Sequence, residues 1–175
     1  YGFPMYSWRP PAYPLFLAAI YAVWGYSHAA VQVVQTVIGA LSVLLLFLIM
    51  WRIYRPAAWP AALVAALYEP LVSVCSELMS ECLFTFFILL ALWAIRDGRQ
   101  RWQMLALSGV AIGLAALTRP VGLLILPALG LVALCERGWT AWRGVAWAGL
   151  ATVVVILPWT VRNAVVHGAF VPVST

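Results

Sequence analysis

Between residues 30 and 160 the chain breaks into six apolar stretches divided by short segments that hold most of its charge, and this alternation leaves few ways to fold. The stretches cover residues 30–51, 57–76, 80–95, 103–118, 120–136 and 143–160. A helix needs roughly 20 apolar residues to cross about 30 Å of hydrocarbon, so each stretch reads as a crossing, although several are short. The expected fold class is all-α: a polytopic transmembrane helical bundle of about six spans. Because the fifth stretch starts directly after Arg119-Pro120, the fourth and fifth should form a tight helical hairpin. Composition agrees. The chain is 66% apolar and 9% charged, against about 45–50% and about 25% in soluble domains, which excludes a water-soluble globule. All ten basic residues are arginine, against five acids, for a net charge of +5. In a soluble protein that excess would suggest nucleic acid. Here the arginines are scattered between apolar runs, so no nucleic-acid partner is expected.

A seventh apolar stretch, Pro14 to Trp24, is too short to cross. Pro10, Pro11 and Pro14 favour helix entry, since a proline in the first turn gives up no needed donor. Tyr13, Tyr21 and Trp24 suit headgroup depth, so this helix should lie along the interface. Residues 1–29 then form an outer loop and interfacial helix, residues 30–163 six spans, and residues 164–175 the start of the next outer loop. The chain opens on Tyr1 and closes on Val173-Ser174-Thr175 without a charged tail or a signal peptide, so it reads as a fragment.

Six crossings place alternate connections on opposite sides. One set holds Arg52, Arg55, Arg96, Arg99, Arg101, Arg137 and Arg143; the other holds Arg9, Arg119 and Arg162. By the positive-inside rule the richer set is cytoplasmic. Each minority arginine lies near a proline, in Arg9-Pro10-Pro11, Thr118-Arg119-Pro120 and Pro158-Trp159-Thr160-Val161-Arg162-Asn163, and the proline should set where its helix stops. A guanidinium near hydrocarbon must be paired, snorkelling or facing a wet cavity. The three could converge on one anionic ligand at the outer surface; the plain alternative is snorkelling to lipid phosphates.

The same side receives Glu77 and Glu81, whose spacing of four would put them on one helix face. Glu81 also suits the dipole at the start of a span. Glu69, inside an apolar stretch and before Pro70, should be protonated, paired or open to a cavity. His28 and His167 lack ligand-spaced neighbours, so no metal site is expected. Cys75, Cys82 and Cys135 have no CxxC spacing and read as small hydrophobes. Ala106, Gly109, Gly113 and Ala116 form a small-residue stripe suited to close helix packing. Tyr13 and Trp159 are either belt aromatics or platforms lining a sugar pocket.

Four strings together resemble the membrane glycosyltransferases of the GT-C superfamily. They are Arg9-Pro10-Pro11-Ala12-Tyr13-Pro14-Leu15-Phe16-Leu17, followed by Gly25 and Gln35; Ser80-Glu81-Cys82-Leu83-Phe84; Gly109 through Gly113-Leu114-Ala115-Ala116-Leu117-Thr118-Arg119-Pro120; and Leu157-Pro158-Trp159-Thr160-Val161-Arg162-Asn163. The best match is to family 39-like enzymes, which include protein O-mannosyltransferases and the bacterial aminoarabinose transferases that modify lipid A. The chain is then similar to a partial GT-C membrane domain.

The resemblance implies a polyprenyl-phosphate sugar as donor, with no cofactor evident. An acceptor hydroxyl of a lipid, protein or glycan would attack on the outer face of a bacterial inner membrane, with inversion. It implies that Arg9 and Arg119, with Arg162 as a third, grip the donor phosphate, since planar permanent cations bind its oxygens in bidentate fashion. Glu81 matches an acidic position that would orient an arginine or touch the sugar, and Glu77 joins it. Such enzymes keep an aspartate in the first outer loop, so the general base is expected upstream of Tyr1. The only aspartate here, Asp97, falls in an expected cytoplasmic loop, and Glu69 and Glu77 depart from the pattern. Two other classes compete. A secondary transporter would show broken midplane helices and paired repeats, which are not evident. A noncatalytic scaffold would lack the upstream aspartate.

Overall fold

The computed structural model describes residues 9–97, 102–137 and 142–167, together with Val173. Arg99 and Arg101 lie outside the described residues, as do the side chains of Arg96, Asp97, Arg137 and His167. Among the described residues there are eight α-helices and no strand: α1 Ala12–Trp24, α2 His28–Ile53, α3 Arg55–Leu67, α4 Glu69–Ser76, α5 Ser80–Asp97, α6 Trp102–Thr118, α7 Ile125–Arg137 and α8 Trp142–His167. A 3-10 turn, Pro120–Leu124, joins α6 to α7. This is an all-α membrane bundle. α2 and α8 are long and apolar enough to cross alone, α3 and α4 pass the same test only as a pair bent by 51°, and the rest are shorter apolar helices.

The helix ends follow from local chemistry. Ser27 opens α2 by accepting the Ala30 N–H at 3.3 Å. The bend at Tyr68 falls two residues before Pro70, which has no N–H for the Ala66 carbonyl and whose ring crowds it. Arg119 leaves α6 in an extended conformation, φ −145° and ψ 129°, as a residue before proline must. Gly122 then lets the 3-10 turn fold back on α6, because a Cβ there would sit 2.6 Å from the Ala116 nitrogen. The expected hairpin is thus tight at its turn, while Ile125, Leu126 and Leu129 of α7 pack onto Ala91 of α5 and Ala111 and Ile112 of α6.

Two expectations are corrected. Glu77 and Glu81 share no helix face: α4 ends at Ser76, Glu77 caps it in an extended conformation, and Glu81 belongs to the first turn of α5. Pro158 does not end a helix either. α8 absorbs it and runs to His167, so Arg162 sits within α8 and residues 164–167, expected to begin a loop, continue that helix.

α6 is the central helix, buried at Ser108, Gly109, Ala111, Ile112, Gly113 and Ala115 to Thr118. Its glycines admit α8: a Cβ on Gly109 would meet the Ala148 carbonyl oxygen at 2.1 Å, and one on Gly113 would meet Val155 at 2.8 Å. Thr152 locks the contact by donating to the Gly109 carbonyl at 2.9 Å. The small-residue stripe therefore works as a helix-packing surface. Residue pairing along the bundle makes α6 and α8 parallel. α2 and α5 are also parallel, since Gln35 meets Met79 at one end and Arg52 lies over Trp93 at the other. With the bent α3–α4 pair counted as one segment, chain direction alternates from α2 to α8. One end of the bundle collects the α4–α5 turn, the start of α5 and the end of α6; the opposite end collects Arg52, Arg55 and Trp93.

Candidate functional site

The first of these ends gathers Glu81, Arg119 and Arg162. Arg119, thrown outward where Pro120 stops α6, meets Glu81 in the first turn of α5, with Nη1 to Oε1 at 2.5 Å. Ser80 supports the same carboxylate, its hydroxyl donating to Oε2 at 3.4 Å. The guanidinium also lies over the Phe84 ring, 5.9 Å from its centroid, one helical turn along α5 from Glu81. Carboxylate and aromatic face thus hold the cation from two sides, while the pair keeps 42% and 39% of its side-chain surface exposed. It is open to a ligand and not sealed in the core.

α1 closes on this pair. Tyr13 sits beside it with its hydroxyl buried and without a hydrogen-bond partner among the described residues. Its pKa is pushed up to about 12, first by burial and then by the neighbouring Tyr21, Cys82 and Glu81. Ala12, one residue earlier, packs against the cluster of Ala116, Leu117, Ile156 and Val173. Arg9 precedes Ala12 by three residues and Arg119 follows Ala116 by three. Arg9 is exposed and makes no ion pair among the described residues.

Arg162 also reaches this end of the bundle, but on different partners. It lies over the Trp159 ring at 4.7 Å and donates to Asn163 Oδ1 at 3.2 Å. Trp159 is itself committed: its indole N–H donates to the Val173 carbonyl at 2.6 Å, and buried Asn163 donates to the same oxygen at 3.3 Å. Glu77 is exposed and forms no ion pair among the described residues, and Glu69 is exposed at the first turn of α4. The structure therefore brings Glu81, Arg119 and Tyr13 together, and leaves Glu77 apart. His28 shares a 3.2 Å hydrogen bond with Tyr26, and no group of three metal-ligating side chains occurs among the described residues.

Phe84 and Gln35 were not singled out for what they do here. Gln35 is fully buried on α2 and donates to the Met79 carbonyl at 3.0 Å, strapping the α4–α5 turn that leads into Glu81. An amide inside an apolar stretch was the available signal. The cysteines also exceed the reading of inert hydrophobes, since Cys75 and Cys82 approach to 3.4 Å.

The family model for dolichyl-phosphate-mannose-protein mannosyltransferase matches residues 8–161. The chain is 32% identical over 165 residues to an undecaprenyl phosphate-alpha-4-amino-4-deoxy-L-arabinose arabinosyl transferase of Pseudomonas aeruginosa (strain LESB58). That alignment takes in 88% of this chain and 30% of the relative's length. No solved structure matches the chain. A match over residues 8–161, which takes in α1 to α7 and most of α8, means that the chain belongs to the dolichyl-phosphate-mannose-protein mannosyltransferase family of GT-C membrane glycosyltransferases.

Proposed function

We propose that this chain forms the donor-phosphate part of an integral-membrane glycosyltransferase, which moves a sugar from a polyprenyl phosphate to an acceptor hydroxyl at the outer face of a bacterial inner membrane. The observation that carries the reading is the half-exposed Arg119–Glu81 pair beside Tyr13. In the reaction the acceptor oxygen attacks the anomeric carbon, the bond from that carbon to the phosphate oxygen breaks, and the acceptor proton passes to a base outside this chain. Negative charge grows on the departing phosphate. Fixed cations aimed at that charge are a large catalytic term in a water-poor site, and planar guanidinium groups match phosphate oxygens in pairs. Glu81 keeps the Arg119 guanidinium oriented while its remaining N–H groups are offered to phosphate. Arg9 supplies a second cation and Arg162, nearer the α8 side, a third. Tyr13 has a hydroxyl without a partner among the described residues and a pKa too high for ionisation at neutral pH, which suits hydrogen bonding to a phosphate or sugar oxygen. Glu77, exposed and without an ion pair among the described residues, is an acceptor-side contact, and Trp159 supports the α8 wall.

The reading takes the six apolar segments as six crossings, with this end of the bundle outside. Arg119→Ala in the full-length protein tests it: transfer from a lipid-linked sugar should be lost while membrane insertion is kept. Near-normal turnover would remove Arg119 from the site.

A further inference from the structure

Cys75 and Cys82 flank the turn that ends α4 and begins α5. Both are free thiols, with sulfurs 3.4 Å apart. Helix α2 prepares this approach. A Cβ on Gly39 would lie 2.6 Å from Cys75 Sγ, so the bare backbone there forms the notch that admits the thiol. One helical turn earlier the Gln35 carbonyl accepts from Cys82 Sγ at 3.3 Å. The turn between the cysteines is tied to the same helix at two points: Gln32 Nε2 donates to the Ser76 carbonyl at 2.8 Å and Gln35 Nε2 to the Met79 carbonyl at 3.0 Å. Notch, carbonyl and amide straps hold the two sulfurs against each other.

The geometry points to a dithiol modification site, in which Cys75 and Cys82 close to a disulfide when a small-molecule or protein disulfide is supplied at this end of the bundle. Their order of reaction follows from burial. Cys82 is only 4% exposed, whereas Cys75 is partly open. Cys75 loses its proton and attacks the incoming disulfide; a mixed disulfide forms and the first thiol of the oxidant leaves with a proton. Cys82 then loses its proton and attacks Cys75 Sγ. The Sγ–Sγ bond forms, the second oxidant thiol leaves with a proton, and the oxidant's own sulfur–sulfur bond has been reduced. The sulfurs need only close from 3.4 Å to a bonded separation of about 2.05 Å. Since Cys82 directly follows Glu81, the staple fixes the turn at residues 77–79 and the first turn of α5. Neither step depends on sugar transfer.

The test uses the detergent-solubilised full-length protein, incubated with oxidised glutathione, alkylated, cleaved at Met79 and read by mass spectrometry. Peptides containing Cys75 and Cys82 should appear joined and lighter by two hydrogens, and a reductant should separate them. Cys135, exposed on α7, serves as the internal reference. Cys82→Ser should accumulate glutathione on Cys75, whereas Cys75→Ser should leave Cys82 unmodified. Separate alkylation of Cys75 and Cys82 under conditions that have already glutathionylated Cys135 would overturn the proposal. Glutathione on Cys82 in Cys75→Ser, as fast as on Cys75 in Cys82→Ser, would overturn the order of attack.

Discussion

Gly109→Ala is a single-methyl test of the α6–α8 contact that holds the site end of the bundle together. The added Cβ would stand 2.1 Å from the Ala148 carbonyl oxygen and 2.8 Å from both the Ala148 carbonyl carbon and the Ala151 Cβ. Close carbon–oxygen contacts in proteins run about 3.3–3.6 Å, so the helices must part by about 1.2 Å. Overpacking of this kind costs about 1–3 kcal/mol. The Thr152 hydroxyl bond to the Gly109 carbonyl, 2.9 Å long, is strained with it and is worth about 1 kcal/mol, although Thr152 keeps its bond to the Ala148 carbonyl. Replacing glycine inside a helix returns roughly 0.5–1 kcal/mol. The net loss is about 2 kcal/mol, or roughly 30-fold in the folding equilibrium. Gly144→Ala is the matched control, because its Cβ would meet only the flexible end of Leu105 at 3.3 Å; it should be neutral or slightly stabilising. Tryptophan fluorescence during denaturant unfolding of the full-length protein in micelles reads both variants. Equal stability for Gly109→Ala and Gly144→Ala would refute the close-packed α6–α8 interface.

Glu81→Gln keeps the shape of the side chain and removes its charge. A half-exposed pair contributes about 0.2–1 kcal/mol to stability, so the melting temperature should barely move while transfer falls about tenfold or more through a misdirected Arg119; a parallel collapse of stability and activity would make the pair structural. Tyr13→Phe should flatten the alkaline limb of stability. The raised folded pKa means that the folded state holds its proton longer than the unfolded chain, so stability falls as pH rises from about 10 to about 12. An unchanged limb in Tyr13→Phe denaturation would contradict that. Cysteine-accessibility labelling of the intact membrane should mark position 99 from the cytoplasm and position 119 from outside, and the opposite pattern would invert the topology.

Particular residues show what the chain alone made legible. Arg119-Pro120 announced both the end of α6 and an outward arginine, because proline disfavours helical geometry in the residue before it. The glycines of α6 announced a close neighbour, although not that the neighbour is α8. Pro158 looked like the same kind of stop and was not: helix packing along Ala148, Thr152 and Ile156 carries α8 through it. Glu77 and Glu81 looked like helix-face neighbours because spacing assumes an unbroken helix, whereas α4 ends between them in a turn held by the distant Gln32 and Gln35.

Solvent preference is a local property, so the all-helical membrane character of this chain, and the proline-bounded end of α6 that carries Arg119, followed from residue order alone. Partnership is not local. Glu81 meets Arg119 across 38 positions and Cys82 meets the Gln35 carbonyl across 47; these contacts exist because parallel and antiparallel helices fix which ends coincide. Only the tertiary packing of α1, α5 and α6 turned scattered charges into an oriented cation beside a buried tyrosine hydroxyl.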